Sequence, residues 1–133
     1  NLNEQSFANK ALHVAVEQAR LHQAELHIIT VIPGFNMPMV ASFFPEDSIE
    51  KAIGAVKLKL KEYTAAHIPE EMKATLHIAV GEPYKEILKC RKNIQADLIV
   101  LQSHHDGIEH ILLGSVASKV VEHAKVSVMV IRS

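Results

Sequence analysis

The chain has 133 residues, a formal net charge of -1 at pH 7 with neutral histidines, and 48% hydrophobic residues. This length predicts a single domain, spanning residues 1–133, with enough chain to bury a core. The balanced charge excludes the basic surface that nucleic-acid-binding proteins carry, and no apolar run reaches the ~20 residues that a membrane span needs. One cysteine, Cys90, excludes an internal disulfide framework and fits a reducing compartment. We therefore expect a cytoplasmic protein without nucleic-acid or membrane partners.

The first half of the chain predicts a helix, a strand and a second helix. Apolar residues recur at three- and four-residue steps from Ala8 to Ala19, a pattern typical of a helix with one buried stripe. The β-branched run Glu25–Ile32 stops at Pro33-Gly34 and predicts a strand that is buried on both faces. Pro45–Ser48 is typical of a helix start. The stripe of that helix consists of Ile49, Ala52, Ile53, Val56, Leu60 and Tyr63.

The second half continues the alternation. Three further strands are predicted, at Ala74–Val80, Asp97–Leu101 and Val126–Ile131. Pro83 is tolerated in a first helical turn, so a helix is expected from there to about Ile94. Strands separated by helices predict right-handed crossovers and a parallel sheet with helices on both faces. The fold class is therefore a three-layer α/β/α sandwich.

Gly114-Ser115 opens the last predicted helix, after the strand at Asp97–Leu101. The unpaired amides of a helix N-terminus and the positive end of its dipole attract phosphate. Gly114 allows close approach to the backbone, and the Ser115 hydroxyl adds a donor. The same dipeptide is also typical of a plain helix cap, and these residues by themselves favour the cap.

Three runs of the sequence together resemble the universal stress protein family. They are Thr30–Pro33 (TVIP), Gly81-Glu82-Pro83, and the C-terminal run in which LIVLQSHH is followed by ILLGSVASKVVEHAKVSVMVIR. The resemblance covers essentially the whole chain and implies a five-stranded parallel sheet in the order 3-2-1-4-5. Asn1 falls where the first, central strand of the family has just ended. We therefore expect that strand to be missing from this sequence, which would leave a gap with two unpaired interior edges.

Many members of the family bind ATP through Gly, two residues, Gly, nine residues and Gly-Ser or Gly-Thr. In this sequence Gln102 takes the first glycine position and His105 the second, and eight residues separate His105 from Gly114. The run resembles a shortened, glycine-poor variant of the loop that some members carry. Each lost glycine places a Cβ where phosphates approach the backbone.

The resemblance implies an adenine nucleotide site at the carboxyl ends of the strands. Backbone atoms of Val31 would contact adenine, and Asn1 takes the position of the usual Asp near the adenine and ribose. The candidate phosphate-binding residues are Ser103, His104, Gly114, Ser115 and Val116, with Gln102 and His105 from the two former glycine positions. Mg²⁺ would arrive with ATP, because the sequence offers no dedicated carboxylate cage.

Other clusters of reactive side chains carry weaker signals. His104-His105-Asp106 with His110 matches no zinc spacing, so we expect no metal site. Ser103-His104 lacks a nucleophile elbow, and we expect no catalytic residue. His27 and His77 lie in predicted strands as satisfied interior groups. Basic neighbours of Cys90 could lower its pKa, although a structural or exposed thiol is favoured.

Two functions remain open. The first is a stress-associated protein that binds ATP, with at most slow hydrolysis or autophosphorylation because no general base is evident. The alternative is a dimeric stress protein that acts as a scaffold, in which Gln102, His105 and the apolar segment 33–45 close the cleft. Both imply a homodimer through Val126–Ile131, since this edge strand is apolar on both alternating sets of residues.

Overall fold

The structure is a computed structural model that describes residues 2–34, 47–103 and 113–132, with side chains described from Lys10 onward in the first helix. Helices and strands alternate along these residues. They are α1 (Leu2–His22), β1 (Leu26–Pro33), α2 (Ser48–His67), β2 (Ala74–Gly81), α3 (Pro83–Ile94), β3 (Leu98–Ser103), α4 (Ser115–His123) and β4 (Ser127–Arg132). Each predicted strand is found, with ends that differ from the sequence pattern by one or two residues. Asn1 lies outside the described residues.

The four described strands form two parallel pairs. β1 pairs with β2 from Leu26–Ala74 to Pro33–Gly81, and β3 pairs with β4 from Leu98–Ser127 to Ser103–Arg132. Within residues 2–34, 47–103 and 113–132, no hydrogen-bonded ladder joins β1 to β3. In the order 3-2-1-4-5 that the resemblance implies, these four strands correspond to strands 2 to 5. The two pairs are thus the outer parts of that order, and the central strand stays a prediction.

Helices cover the strand pairs in two layers. In one layer α1 packs on β1, β3 and β4, while α2 packs on β2 and touches α1. In the other layer α3 packs on β1 and β2, while α4 packs on β3 and β4 and touches α3. The predicted α/β class with parallel strands is confirmed. Among the described residues, no helix is long and apolar enough to cross a bilayer.

The main core cluster lies between α1 and β1. Leu12, Val16 and Ala19, all in the predicted stripe of α1, are buried against Leu26 of β1. Removing apolar surface of this kind from water stabilises the fold by roughly 25 cal/mol per Å². Tyr63 of α2 packs on the same cluster.

The predicted stripe of α2 is correct only in its later part. Ile53, Val56 and Leu60 are half-buried, but Ile49 and Ala52 at the start of the helix are exposed. The reason is the position of the core: the part of α2 that packs against the α1–β1 cluster is its carboxyl end, at Tyr63.

A slot separates the two strand pairs. Leu26 and His27 of β1 line one side, Leu98 and Val100 of β3 line the other, and α1 and the end of α3 close it. Its volume is about 500 Å³. The slot lies between the inner edges of β1 and β3, where the sequence predicts the family's central strand.

We predict that an apolar strand fused to the N-terminus stabilises the fold by pairing with β1 and β3. A segment of about six Val and Ile residues, the usual strand length, joined by a short turn, tests this. The midpoint of thermal unfolding should rise by more than about 4 °C, since roughly 1 kcal/mol produces a shift of that size. The control carries two prolines in the middle of the segment, which cannot donate to a ladder. Equal midpoints for the two fusions would contradict the prediction.

Candidate functional site

A part-buried hydrogen bond joins the end of β3 to the start of α4. The backbone N–H of Gly114 donates to the Ser103 hydroxyl over an N···O distance of 2.9 Å. Ser103 is only 6% exposed, which limits the access of water to this bond. The structure thus brings together two predicted phosphate-binding residues from opposite ends of the loop. Two others, His104 and His105, lie outside the described residues.

The N-cap residue of α4 is Gly114, with φ -59° and ψ 160°. The interpretation of Gly114-Ser115 as a helix cap is therefore correct. Because glycine has no side chain, this residue offers the amides of the first turn no acceptor of its own. Ser115 and Val116 are exposed there. An unpaired amide at the positive end of a helix dipole is suited to an anion.

Gln102 lies near the end of β3, directly before Ser103 and opposite Ile131 of β4. Its side-chain Oε1 and Nε2 are buried and find no hydrogen-bond partner among the described residues. Leaving a buried polar group unpaired costs about 1–3 kcal/mol. Within the part of the chain that the structure describes, the Gln102 amide is therefore an unsatisfied donor and acceptor at the carboxyl end of β3.

Val31 lies in the other strand pair. It is half-buried in β1, opposite Ala79 of β2. Just beyond the ends of these strands, the backbone N–H of Gly34 donates to the carbonyl of Gly81 at 3.2 Å. The candidate contact with adenine and the candidate phosphate contacts thus belong to separate strand pairs.

The backbone conformation of Gly81 favours a glycine. Its φ of +155° is in a region that L side chains rarely adopt. An added Cβ would also lie 2.8 Å from Oε1 of Glu86, a flexible side chain that would have to move aside. The glycine of the Gly81-Glu82-Pro83 motif therefore has a structural role, in a tight junction where β2 ends and α3 begins.

Glu82 connects the two strand pairs at this edge. Its carboxylate lies 2.8 Å from the Lys85 Nζ and 3.7 Å from the Lys119 Nζ of α4. The hydrogen bond from Lys85 is the main cause that lowers the pKa of the Glu82 carboxyl, and the charge of Lys119 acts in the same direction. Since α4 starts beside the end of β3, the carboxyl ends of β2 and β3 lie at one edge of the molecule.

Sequence analysis missed this role of Glu82 and Lys119. The motif Gly81-Glu82-Pro83 was informative only as the end of a strand, and Lys119 follows the expected polar pattern of an exposed helix face. A carboxylate directly after a parallel strand is a signal for a group at the binding edge. Its partner, however, is distant in sequence and emerges only from the fold.

The two strand histidines form a half-buried pair, so the prediction that they are satisfied is confirmed, whereas the predicted interior position is not. His27 Nδ1 lies 2.9 Å from His77 Nε2, and the rings stack with centroids 5.2 Å apart. Burial, followed by the charge of His27, lowers the pKa of His77. Residues 2–34, 47–103 and 113–132 contain no group of three or more side chains that could hold a metal. The histidine cluster from His104 to His110 lies outside these ranges.

Cys90 is a structural thiol. It is half-buried in α3, and burial raises the pKa of its thiol. The suggestion that basic neighbours lower this pKa is wrong, because desolvation of the thiolate is the dominant effect. The preferred interpretation, a thiol without special reactivity, agrees with this environment.

Comparison with known proteins agrees with the resemblance. The model of the universal stress protein family matches residues 3–132. Universal stress protein YxiE of Bacillus subtilis is 34% identical over 134 residues, covering 92% of this chain and 89% of that protein.

Two solved structures have the same fold. Universal stress protein UspA from Lactobacillus plantarum aligns with a TM-score of 0.65 and 29% identity, over 94% of this chain and 89% of that one. A universal stress protein from Archaeoglobus fulgidus, solved in complex with dAMP, aligns with a TM-score of 0.66 and 24% identity, over 93% and 86% of the two chains. This chain belongs to the universal stress protein family.

Proposed function

We propose that this stress protein binds an adenine nucleotide at the carboxyl edge of its strands, with ATP and its Mg²⁺ as the expected ligand. The observation that carries the proposal is the hydrogen bond from the Gly114 amide to the buried Ser103 hydroxyl. It holds the N-terminus of α4 beside the end of β3, where amides of the first helical turn can bind a phosphate.

The relative from Archaeoglobus fulgidus that was solved with dAMP supports the choice of ligand. In the proposed site, Val31 contacts the base through its backbone, and Ser115 and Val116 contact a phosphate. Asn1, His104 and His105 are further proposed contacts that lie outside the described residues. Open sheets of this class bind ligands outside the carboxyl ends of their strands, which is the edge identified here.

Gln102 gives the site a donor and an acceptor that a glycine lacks. Its unpaired amide satisfies a polar atom of the nucleotide, which removes the penalty of the buried unpaired group. Binding is the proposed activity, with at most slow hydrolysis or autophosphorylation.

One observation favours a second candidate function, a dimeric scaffold that binds no nucleotide. The same Gln102 side chain occupies space that a glycine would leave open, and its amide is buried. If the phosphates need that space, the nucleotide cleft is closed. The protein would then act as a scaffold, through contacts of its surface with other molecules. A calorimetric titration separates the two functions.

Gly114→Val should weaken nucleotide binding by about tenfold or more, the equivalent of roughly 1.4 kcal/mol. The branched side chain blocks the approach of a phosphate to the first turn of α4. The measurement is isothermal titration calorimetry with Mg-ATP and with AMP. The control is Gly54→Val in α2, where an added Cβ meets no atom within 4 Å. Retained affinity in Gly114→Val, or no binding heat from the unmodified protein at high micromolar nucleotide, would contradict the proposed site.

Ser103→Ala should lower the free energy of unfolding by about 1–3 kcal/mol, because it leaves the Gly114 amide without its buried acceptor. Nucleotide affinity should fall as well, since the start of α4 is no longer held beside β3. Urea denaturation measures the first effect and calorimetry the second. Ser118→Ala is the matched control, because its hydroxyl makes only an exposed 3.4 Å hydrogen bond to the Leu113 carbonyl. Equal unfolding free energies for the two variants would show that the Ser103 bond is unimportant.

The proposed homodimer forms through β4. This strand pairs with β3 on one side, and no described strand pairs with its other side. Val128–Ile131 are apolar and only half-buried. We predict a species of twice the 14.7 kDa chain mass in sedimentation velocity at concentrations on the order of tens of micromolar. A monomer at these concentrations would contradict this assembly.

A further inference from the structure

Four side chains join the start of α3 to α4. The Glu82 carboxylate lies 3.7 Å from the Lys119 Nζ. The Tyr84 ring centroid lies 5.2 Å from the same Nζ, and the ring stacks on His123 with centroids 5.5 Å apart and planes at 25°. We call Glu82, Tyr84, Lys119 and His123 the α3–α4 clasp. Glu82 and Tyr84 lie at the start of α3, and Lys119 and His123 lie in α4. The clasp therefore couples the position of α3 to that of α4.

The clasp acts close to the proposed phosphate contacts. Lys119 follows Ser115 by four residues, so the two lie on the same side of α4, one turn apart. His123 continues this row by a further turn. A change that moves the part of α4 around Lys119 therefore also moves the N-terminus of this helix.

The other end of the clasp is fixed to the β1–β2 pair. Glu82 directly follows Gly81, whose carbonyl accepts the hydrogen bond from Gly34 after the end of β1. Glu82 is therefore held by backbone contacts on one side and reaches α4 with its carboxylate on the other.

We propose that Glu82 is a positioning residue of the nucleotide site, holding the N-terminus of α4 at a set distance from the carboxyl end of β1 through Lys119. The inference rests on the proposed function. It adds a residue that controls how well the base contact and the phosphate contacts fit one ligand. The base contact belongs to the β1–β2 pair and the phosphate contacts to the β3–β4 pair and α4. The Glu82–Lys119 contact joins the end of β2 to α4 and therefore acts on the spacing between these two sets of contacts.

The clasp contributes orientation more than global stability. The side chains of Glu82 and Lys119 are 35% and 52% exposed, and ion pairs in such positions contribute little to the free energy of unfolding. The His123 ring stacked on Tyr84 and the Lys119 Nζ over the same ring favour one orientation of α4 relative to α3. The effect of breaking the clasp should therefore be local to α4.

The first experiment needs no nucleotide. In Glu82→Gln and in Lys119→Gln, amides 118–121 of α4 should exchange hydrogen about twofold to fivefold faster than in the unmodified protein, the range expected for a partly exposed ion pair. The control for the loss of a lysine charge is Lys85→Gln, which breaks the 2.8 Å pair with Glu82 and a 5.8 Å contact with the Tyr84 ring but leaves both contacts of Lys119 in place. Unchanged exchange in the two clasp variants, or equal acceleration in Lys85→Gln, overturns the proposal.

The second experiment separates positioning from a simple charge effect on binding. If Glu82 positions α4, both Glu82→Gln and Lys119→Gln weaken AMP binding by about twofold to fivefold, and the double variant is no weaker than either one. If only charge matters, Glu82→Gln binds AMP more tightly and Lys119→Gln more weakly, and this outcome overturns the proposal. If the unmodified protein binds no AMP, the proposed function fails, and hydrogen exchange still decides whether the clasp holds α4.

Discussion

The hydrogen bond between the Gly114 amide and the Ser103 hydroxyl ties the start of α4 to the end of β3. Its acceptor residue is buried, and it connects residues that are eleven positions apart in the chain. The same helix carries Lys119, which lies near Glu82, and the fully buried Val120. One backbone donor thus links the end of a strand to a helix that reaches both the core and the Glu82 side chain.

Much of this fold could be predicted from the sequence, because hydrophobic periodicity and the glycine and proline residues at the ends of elements are local signals. The strand at Ala74–Gly81 and the helix that begins at Pro83 follow from a β-branched run, a glycine and a proline that is tolerated in a first helical turn. The buried stripe predicted for α2 is longer than the one found. The reason is that helical spacing indicates which face of a helix is apolar but not how far the core extends along it. The exposed Ile49 is the result.

The candidate site was less predictable, because its contacts join distant residues. The resemblance to the family pointed to Ser103 and Gly114, and their hydrogen bond is consistent with a shared role at one site. It did not point to the Glu82–Lys119 contact, which requires two crossovers of the chain to form. Nor could the sequence show that the Gln102 amide is buried without a partner among the described residues, since burial depends on how distant elements pack around it.

The slot between β1 and β3 has a mechanical consequence. A hydrogen-bonded ladder resists sliding because each bond matches one residue with one partner, whereas packed side chains slip past one another more readily. Within the described residues, α1 is the helix that packs on both sides of the slot, against β1 and β3. A strand hydrogen-bonded in the slot would therefore fix the register of β1 relative to β3, and with it the distance between Val31 and Gly114.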